Sequence, residues 1–159
     1  MVNRLTWARP RNTRGFTLPE LMTVLAIMAI LGAMAAPAYG GWVAAMRGRS
    51  AGTDLYTALN RARSEAIKRN VEVTLAPKSG GWQAGWRIAD PGDSSRLLDD
   101  HTAVPGATID GPTNVVYLPN GRVKGASLPA FDISVGGSEG RRCVAVDLSG
   151  RPGQTSSEC

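Results

Sequence analysis

The sequence predicts an α+β protein. One long N-terminal helix, membrane-spanning in its first part and amphipathic in its second, packs on an antiparallel β-sheet globular domain. Three observations predict this. From Phe16 to Ala36 only Thr17, Glu20 and Thr23 carry polar side chains. Behind that run, Leu55, Leu59, Ala62, Ala66 and Ile67 keep a helical period up to Asn70. From Val71 onward the period changes to the two-residue alternation of half-buried strands.

Residues 1–15 form a basic leader. Arg4, Arg9, Arg11 and Arg14 stand there without any Asp or Glu, four of the 18 Lys and Arg in the chain. The remaining 14 basic groups nearly balance the 13 acidic ones, so the sequence pI of about 9.8 is largely the leader's doing. Such a leader is biased to stay cytoplasmic by the positive-inside tendency, although Arg47 and Arg49 on the far side pull the other way.

Residues 16–36 form a transmembrane helix. At about 1.5 Å per residue the run reaches roughly 30 Å, the thickness of a bilayer core. The alternative is an ordinary secretory signal with Ala33-Met34-Ala35 as a small-x-small cleavage site. Against it stand the length of the run, the acid inside it and a helical pattern that continues past the cleavage point. Glu20 is the informative residue, because an unpaired acid at membrane depth costs about 2.5–3.5 kcal/mol. The next twenty residues offer it no cation. A partner has to come from outside this helix, or from a charge created by processing.

Residues 37–70 continue the helix in amphipathic form. Pro37, followed by Gly40 and Gly41, either ends the first helix at the membrane surface or kinks a longer one. The resumed periodicity favours the kink. Met46 and Ala51 extend the apolar stripe backward, while Arg61, Arg63, Glu65, Lys68 and Arg69 lie mostly off it, so this half would pack its apolar side on a soluble domain.

Residues 71–159 form the β domain and its C-terminal tail. Val71, Val73 and Leu75 alternate with Glu72 and Thr74, and Trp82, Ala84, Trp86 and Ile88 with Gln83, Gly85 and Arg87. Phe131, Ile133 and Val135 do so with Asp132 and Ser134, and Val144, Val146 and Leu148 with Ala145 and Asp147. Asn120-Gly121 after Val115-Val116-Tyr117 signals a hairpin leading to Arg122-Val123-Lys124. Asp90-Pro91-Gly92-Asp93 and Pro105-Gly106 mark looser connections. No internal repeat or low-complexity tract interrupts the domain.

Gly15-Phe16-Thr17-Leu18-Pro19-Glu20, behind an acid-free basic leader and ahead of a spanning run, resembles the class III signal of type IV pilins and pseudopilins. The resemblance implies that a prepilin peptidase cuts after Gly15 on the cytoplasmic side and that Phe16 becomes an N-methylated terminus. It also implies that Glu20, the fifth mature residue, compensates the N-terminal amine of a neighbouring subunit. Pro19 replaces a commoner aliphatic residue there, and falls in the first helical turn, where a missing N–H does no harm.

Ala62-Arg63-Ser64-Glu65-Ala66-Ile67-Lys68-Arg69-Asn70, Val71-Glu72-Val73-Thr74-Leu75, Gly81-Trp82, Gly85-Trp86, Gly121-Arg122 and Cys143-Val144-Ala145-Val146-Asp147 are, in that order, similar to the GspH/FimT family of minor pseudopilins and minor pilins. Membership implies an inner-membrane, single-pass subunit with a cytoplasmic N-terminus and a periplasmic C-terminal domain. Its partners would be the peptidase and other pilins of a periplasmic or surface filament.

Enzyme chemistry is not expected, nor is a cofactor or a metal. His101 is the sole histidine, and beside Asp99 and Asp100 it reads as a solvated loop residue rather than a catalytic base. Two distant cysteines lack zinc-ligand spacing. No phosphate loop or nucleophile elbow occurs. Cys143 and Cys159 are two free thiols or one disulfide. The compartment beyond the inner membrane permits oxidation, and closing that loop would contribute about 3 kcal/mol, which favours the bond.

Two function classes follow. One is a structural subunit that primes or tips a type IV filament, in a type II secretion pseudopilus or a type IV pilus. The other is a binding protein, with DNA as the candidate ligand because some family members act in DNA uptake. Arg141, Arg142 and Arg151 would carry that contact, and Gly150-Arg151-Pro152-Gly153 resembles the Gly-Arg-x-Arg tail motif of DNA-binding members. Gly153 stands where the second arginine is expected, and Glu139, Asp147 and Glu158 offset the charge. Phosphate contacts on that footing imply weak binding at most.

Overall fold

The computed structural model describes residues 15–137 and 140–159, apart from the side chains of residues 35–38 and 94. The leader arginines and Glu139 lie outside the described residues, as does the side chain of Pro37. The chain divides into two units, Met1–Pro37 and Ala38–Cys159. One α-helix, α1, is assigned over Leu18–Arg69, so helical structure does not end at residue 36.

No single helix among the described residues is by itself long and apolar enough to cross a membrane. Leu18–Met34 meets that requirement only together with the segment beginning at Tyr39. The 21-residue run of the sequence is long enough, but Leu18–Met34 alone reaches only about 26 Å of the roughly 30 Å required. Within the first unit the large side chains are exposed, from Leu18 at 73% to Met34 at 74%.

In the second unit α1 buries one stripe: Ala51, Leu55, Ala58, Leu59, Ala62 and Ala66. Met46 and Ile67 are exposed and do not belong to it. The reason is helical phase. At about 100° per residue, Ile67 falls about 120° from the centre of the Leu55–Ala66 row and Met46 on the opposite face. The helix stops where Asn70 turns left-handed (φ 57°) and Val71 N–H donates to the Ala66 carbonyl, a C-terminal cap with Lys68 and Arg69 in the last turn.

Eight strands follow: β1 Val73–Lys78, β2 Gly81–Asp90, β3 Asp93–Asp100, β4 Ala107–Asp110, β5 Val115–Tyr117, β6 Ala130–Val135, β7 Arg142–Val146 and β8 Pro152–Thr155. They form two four-stranded antiparallel sheets, ordered β3-β2-β1-β5 and β4-β6-β7-β8. Val73, Leu75, Trp86, Ile88, Phe131, Ile133, Val144 and Val146 point from the sheets into the core shared with the helix stripe. Trp82 of β2 meets Phe131 of β6 edge to face, with centroids 4.8 Å apart, which joins the two sheets.

Three local expectations change. Val71 precedes the first strand and is 40% exposed. Leu148 lies beyond β7 and is exposed. His101 does lie in the loop after β3, but half-buried: its ring stacks on Trp86 at 4.0 Å and 6°, and its backbone N–H donates to the Trp86 carbonyl. The Asn120-Gly121 turn forms as expected, Gly121 at φ 78°, but its far side pairs only through the single bridge of Tyr117 with Val123.

Candidate functional site

At the start of α1 the backbone of Thr17 is the N-cap, and its carbonyl accepts the first helical bond from Leu21 N–H at 3.1 Å. Glu20 stands three residues on and turns back, so that Oε2 accepts from Thr17 N–H at 3.4 Å. This is half of a capping box, with the acid also favoured by the positive end of the helix dipole. Glu20 therefore has a neutral donor within its own helix, although the next twenty residues hold no cation. The Thr-x-x-Glu spacing ahead of an apolar run was the available signal.

Phe16 is 79% exposed. A Cβ added to Gly15 meets nothing within 4 Å, so no packing among the described residues demands a glycine there. Gly15, Phe16, Thr17 and Glu20 together line an open concavity of about 460 Å³.

At the other end of the chain, Cys143 and Cys159 form a disulfide, with Cα atoms 5.0 Å apart. The bond ties the tail after β8 back onto β7, where Cys143 sits opposite Thr155. Arg141 is ion-paired with Asp132 at 3.3 Å and with Glu158 of the same tail.

The three arginines proposed for a nucleic-acid contact do not form one patch. Arg141 is neutralised by its two carboxylates. Arg142 turns toward α1, its Cβ 3.6 Å from where a side chain on Gly52 would begin. Arg151 lies at the far end of the β7–β8 pair, beyond Val146 opposite Pro152, about 15 Å along the strands from Arg142. Its backbone N–H donates to Asp147, whose Oδ1 also accepts from Ser149 N–H and Ser149 Oγ. Those bonds hold the Asp147 carboxyl below its usual pKa, the Ser149 hydroxyl being the largest cause.

Two further residues anchor the domain. Arg63, read as part of the solvated face, donates Nε to the Gly121 carbonyl at 3.0 Å and Nη2 to the Ser149 carbonyl at 3.3 Å, so the helix clamps two turns at once. Asp90 accepts from Gly92 N–H at 2.9 Å and pairs with Arg69 at 2.8 Å, and both contacts lower its pKa, the Gly92 bond most. Burial pushes the Tyr117 phenol above its usual range. Among the described residues no group of three or more His, Cys, Asp or Glu is placed to hold a metal.

Comparison with known proteins adds the following. Residues 51–150 match the family described as type II transport protein GspH, and residues 10–36 match the prokaryotic N-terminal methylation motif. A type II secretion system protein H from Xanthomonas campestris pv. campestris is 34% identical over 76 residues, which is 46% of this chain and 45% of that protein. The chain thus spans less than half the length of that relative. The type IV minor pilin FimU of Pseudomonas aeruginosa, in two crystal forms, has the same fold: TM-score 0.58 in each, at 23% and 24% identity, covering 67% of this chain and 87% and 91% of those chains.

Proposed function

Because the chain belongs to the GspH family, we propose that it is a minor subunit of a type IV filament machine, a type II secretion pseudopilus or a type IV pilus, acting in assembly, priming or at the tip. The observation that carries the reading is the open, unpacked Gly15 directly before an exposed Phe16 and a capped helix start. A glycine that no packing among the described residues requires suits a recognition site for a peptidase. Cutting there leaves a new ammonium at Phe16 close to the Glu20 carboxylate, and methylation would follow on that amine.

In this reading the apolar helix holds the subunit in the inner membrane before assembly and packs against other pilins afterwards. Pro37 marks the place where the helix bends or loosens on incorporation. Glu20, buried among neighbouring helices, gains a cation from the next subunit's N-terminus, which offsets the roughly 2.5–3.5 kcal/mol that a lone acid costs at that depth. The Arg63 clamp and the disulfide keep the outward domain rigid.

The test is the mature N-terminus. Intact mass and N-terminal sequencing of membrane-extracted protein should give methylated Phe16, and Gly15→Ala should leave the leader in place. A start near Ala36 or Pro37 would establish an ordinary secretory signal instead. Loss of secretion against loss of twitching in a deletion strain separates the two machines.

A further inference from the structure

We propose that the seam between α1 and β8 is a binding site for a phosphate-class oxyanion, held between Arg49 and Arg142. Arg49, Thr53, Arg142, Gln154, Thr155 and Ser156 line a concavity of about 350 Å³ there. Its polar groups are two guanidiniums, a primary amide and three hydroxyls, with no carboxylate among them. No ion pair engages Arg49 or Arg142 among the described residues, whereas the adjacent Arg141 has two. Arg142 donates one Nη1 bond to the Arg141 carbonyl, which leaves most of its five donors unused.

The floor of the site is built by a close approach. Gly52 sits inside α1, where glycine costs about 0.5–1 kcal/mol relative to alanine. A Cβ at that position would meet Gln154 Nε2 at 2.4 Å. The glycine therefore lets the Gln154 amide lie against the helix backbone, beside the stem of Arg142. The walls are held as well: Thr155 pairs with Cys143 in the β7–β8 ladder, and the Cys143–Cys159 bond secures the chain just beyond Ser156. The backbone that carries Arg142 and Gln154 is thus held in the ladder, while the side-chain ends order when an anion arrives.

The donor set selects the ligand. Two guanidiniums suit an oxyanion with parallel acceptor oxygens, and although Thr53 Oγ1 already donates to the Arg49 carbonyl and Thr155 Oγ1 is hydrogen-bonded to Ser157 Oγ, the Gln154 amide and Ser156 hydroxyl still exceed what the two oxygens of a carboxylate can use. A tetrahedral phosphate, with more acceptors and up to two charges, uses them.

The experiment is calorimetric titration of the full chain in a non-ionic detergent with inorganic phosphate at low ionic strength, with acetate as a matched control. Saturable one-to-one binding of phosphate is expected, with weaker binding of acetate. Arg49→Gln and Arg142→Gln should each weaken phosphate binding about tenfold or more, the usual effect of losing a charge-assisted contact. Arg122→Gln removes the same charge at an exposed position outside the cleft and should leave binding unchanged. Gly52→Ala should weaken binding while the protein still unfolds cooperatively. Absence of saturable binding, equal binding of acetate, or equal weakening by Arg122→Gln would overturn the proposal.

Discussion

Gly48 and Gly52 lie one turn apart on α1 and should respond in opposite ways to the same substitution. In a helix, Gly→Ala contributes about 1 kcal/mol through propensity alone. At Gly48 the added Cβ would lie 2.1 Å from the Gly140 carbonyl oxygen and 2.9 Å from its carbon, both backbone atoms. Gly140 has backbone close by as well, since a Cβ added there would lie 2.1 Å from the Val135 carbonyl oxygen and 2.9 Å from that of Ala44. The helix must withdraw by about 1 Å, a gap that forfeits a quarter to a half of the dispersion energy of the contacts it opens. Overpacking of this kind costs about 2–3 kcal/mol, so the net loss for Gly48→Ala is about 1–2 kcal/mol, or about 5–10 °C in Tm for a domain of this size. At Gly52 the obstacle is the end of the Gln154 side chain, which can swing aside, so Gly52→Ala should be neutral or stabilising by up to about 1 kcal/mol. Thermal unfolding of both variants in detergent, followed by near-UV circular dichroism, checks the contrast. Equal stability of the two variants would refute the argument that a rigid backbone contact decides the sign.

Two more outcomes follow from the ties at the domain's ends. Reducing the Cys143–Cys159 bond, or replacing both cysteines with serine, should lower stability by about 3 kcal/mol in urea denaturation, and alkylation of the unreduced protein should leave both cysteines unlabelled. Asp90 and Asp147 have depressed pKa values in the folded state, so their contribution is fully present above the ordinary carboxylate pKa of about 4 and is lost as pH falls through the lower folded values. Urea midpoints measured from pH 5 downward should therefore fall, and fall less steeply in Asp90→Asn.

What the sequence disclosed depended on which strands are central. β1, β2, β6 and β7 each pair on both sides and face the core, so their alternation was legible from Val73, Trp86, Phe131 and Val144. β3, β4, β5 and β8 are edges; β5 kept an apolar signature in Val115 and Tyr117, whereas β3 and β8 carry the polar, weakly patterned sequence common at sheet edges. Asp93–Asp100 and Pro152–Thr155 therefore gave no strand signal, although one pairs with β2 and the other with β7. The helix stripe was legible where four consecutive core contacts fixed its phase, and wrong at Met46 and Ile67, where an apolar residue falls off that phase. His101 escaped because stacking on an aromatic neighbour leaves no periodic trace. The surroundings of the arginines left no trace in the sequence either: Arg141, just before β7, meets Asp132 and Glu158, while Arg142, the first residue of β7, lies against α1.

Glu20 combines two roles that one substitution can separate. Its carboxylate caps Thr17 N–H within the same helix, and in the filament reading it also supplies charge to a neighbour's amine. Alanine would remove both roles and could not distinguish them. Glutamine at the third helical position can still turn back to the N-cap N–H, as the capping box allows Glu or Gln, so Glu20→Gln keeps the helix start and deletes only the charge. Insertion into the membrane should be undiminished, since a neutral amide avoids much of the roughly 2.5–3.5 kcal/mol charged-group cost. Incorporation into filaments should fall, because the ammonium of the adjacent subunit is then left without its counter-charge at membrane depth. The measurement is the amount of the variant in purified filaments relative to the amount in the membrane pool. An unchanged ratio would mean that Glu20 acts only as a cap, and the charge compensation would have to be abandoned.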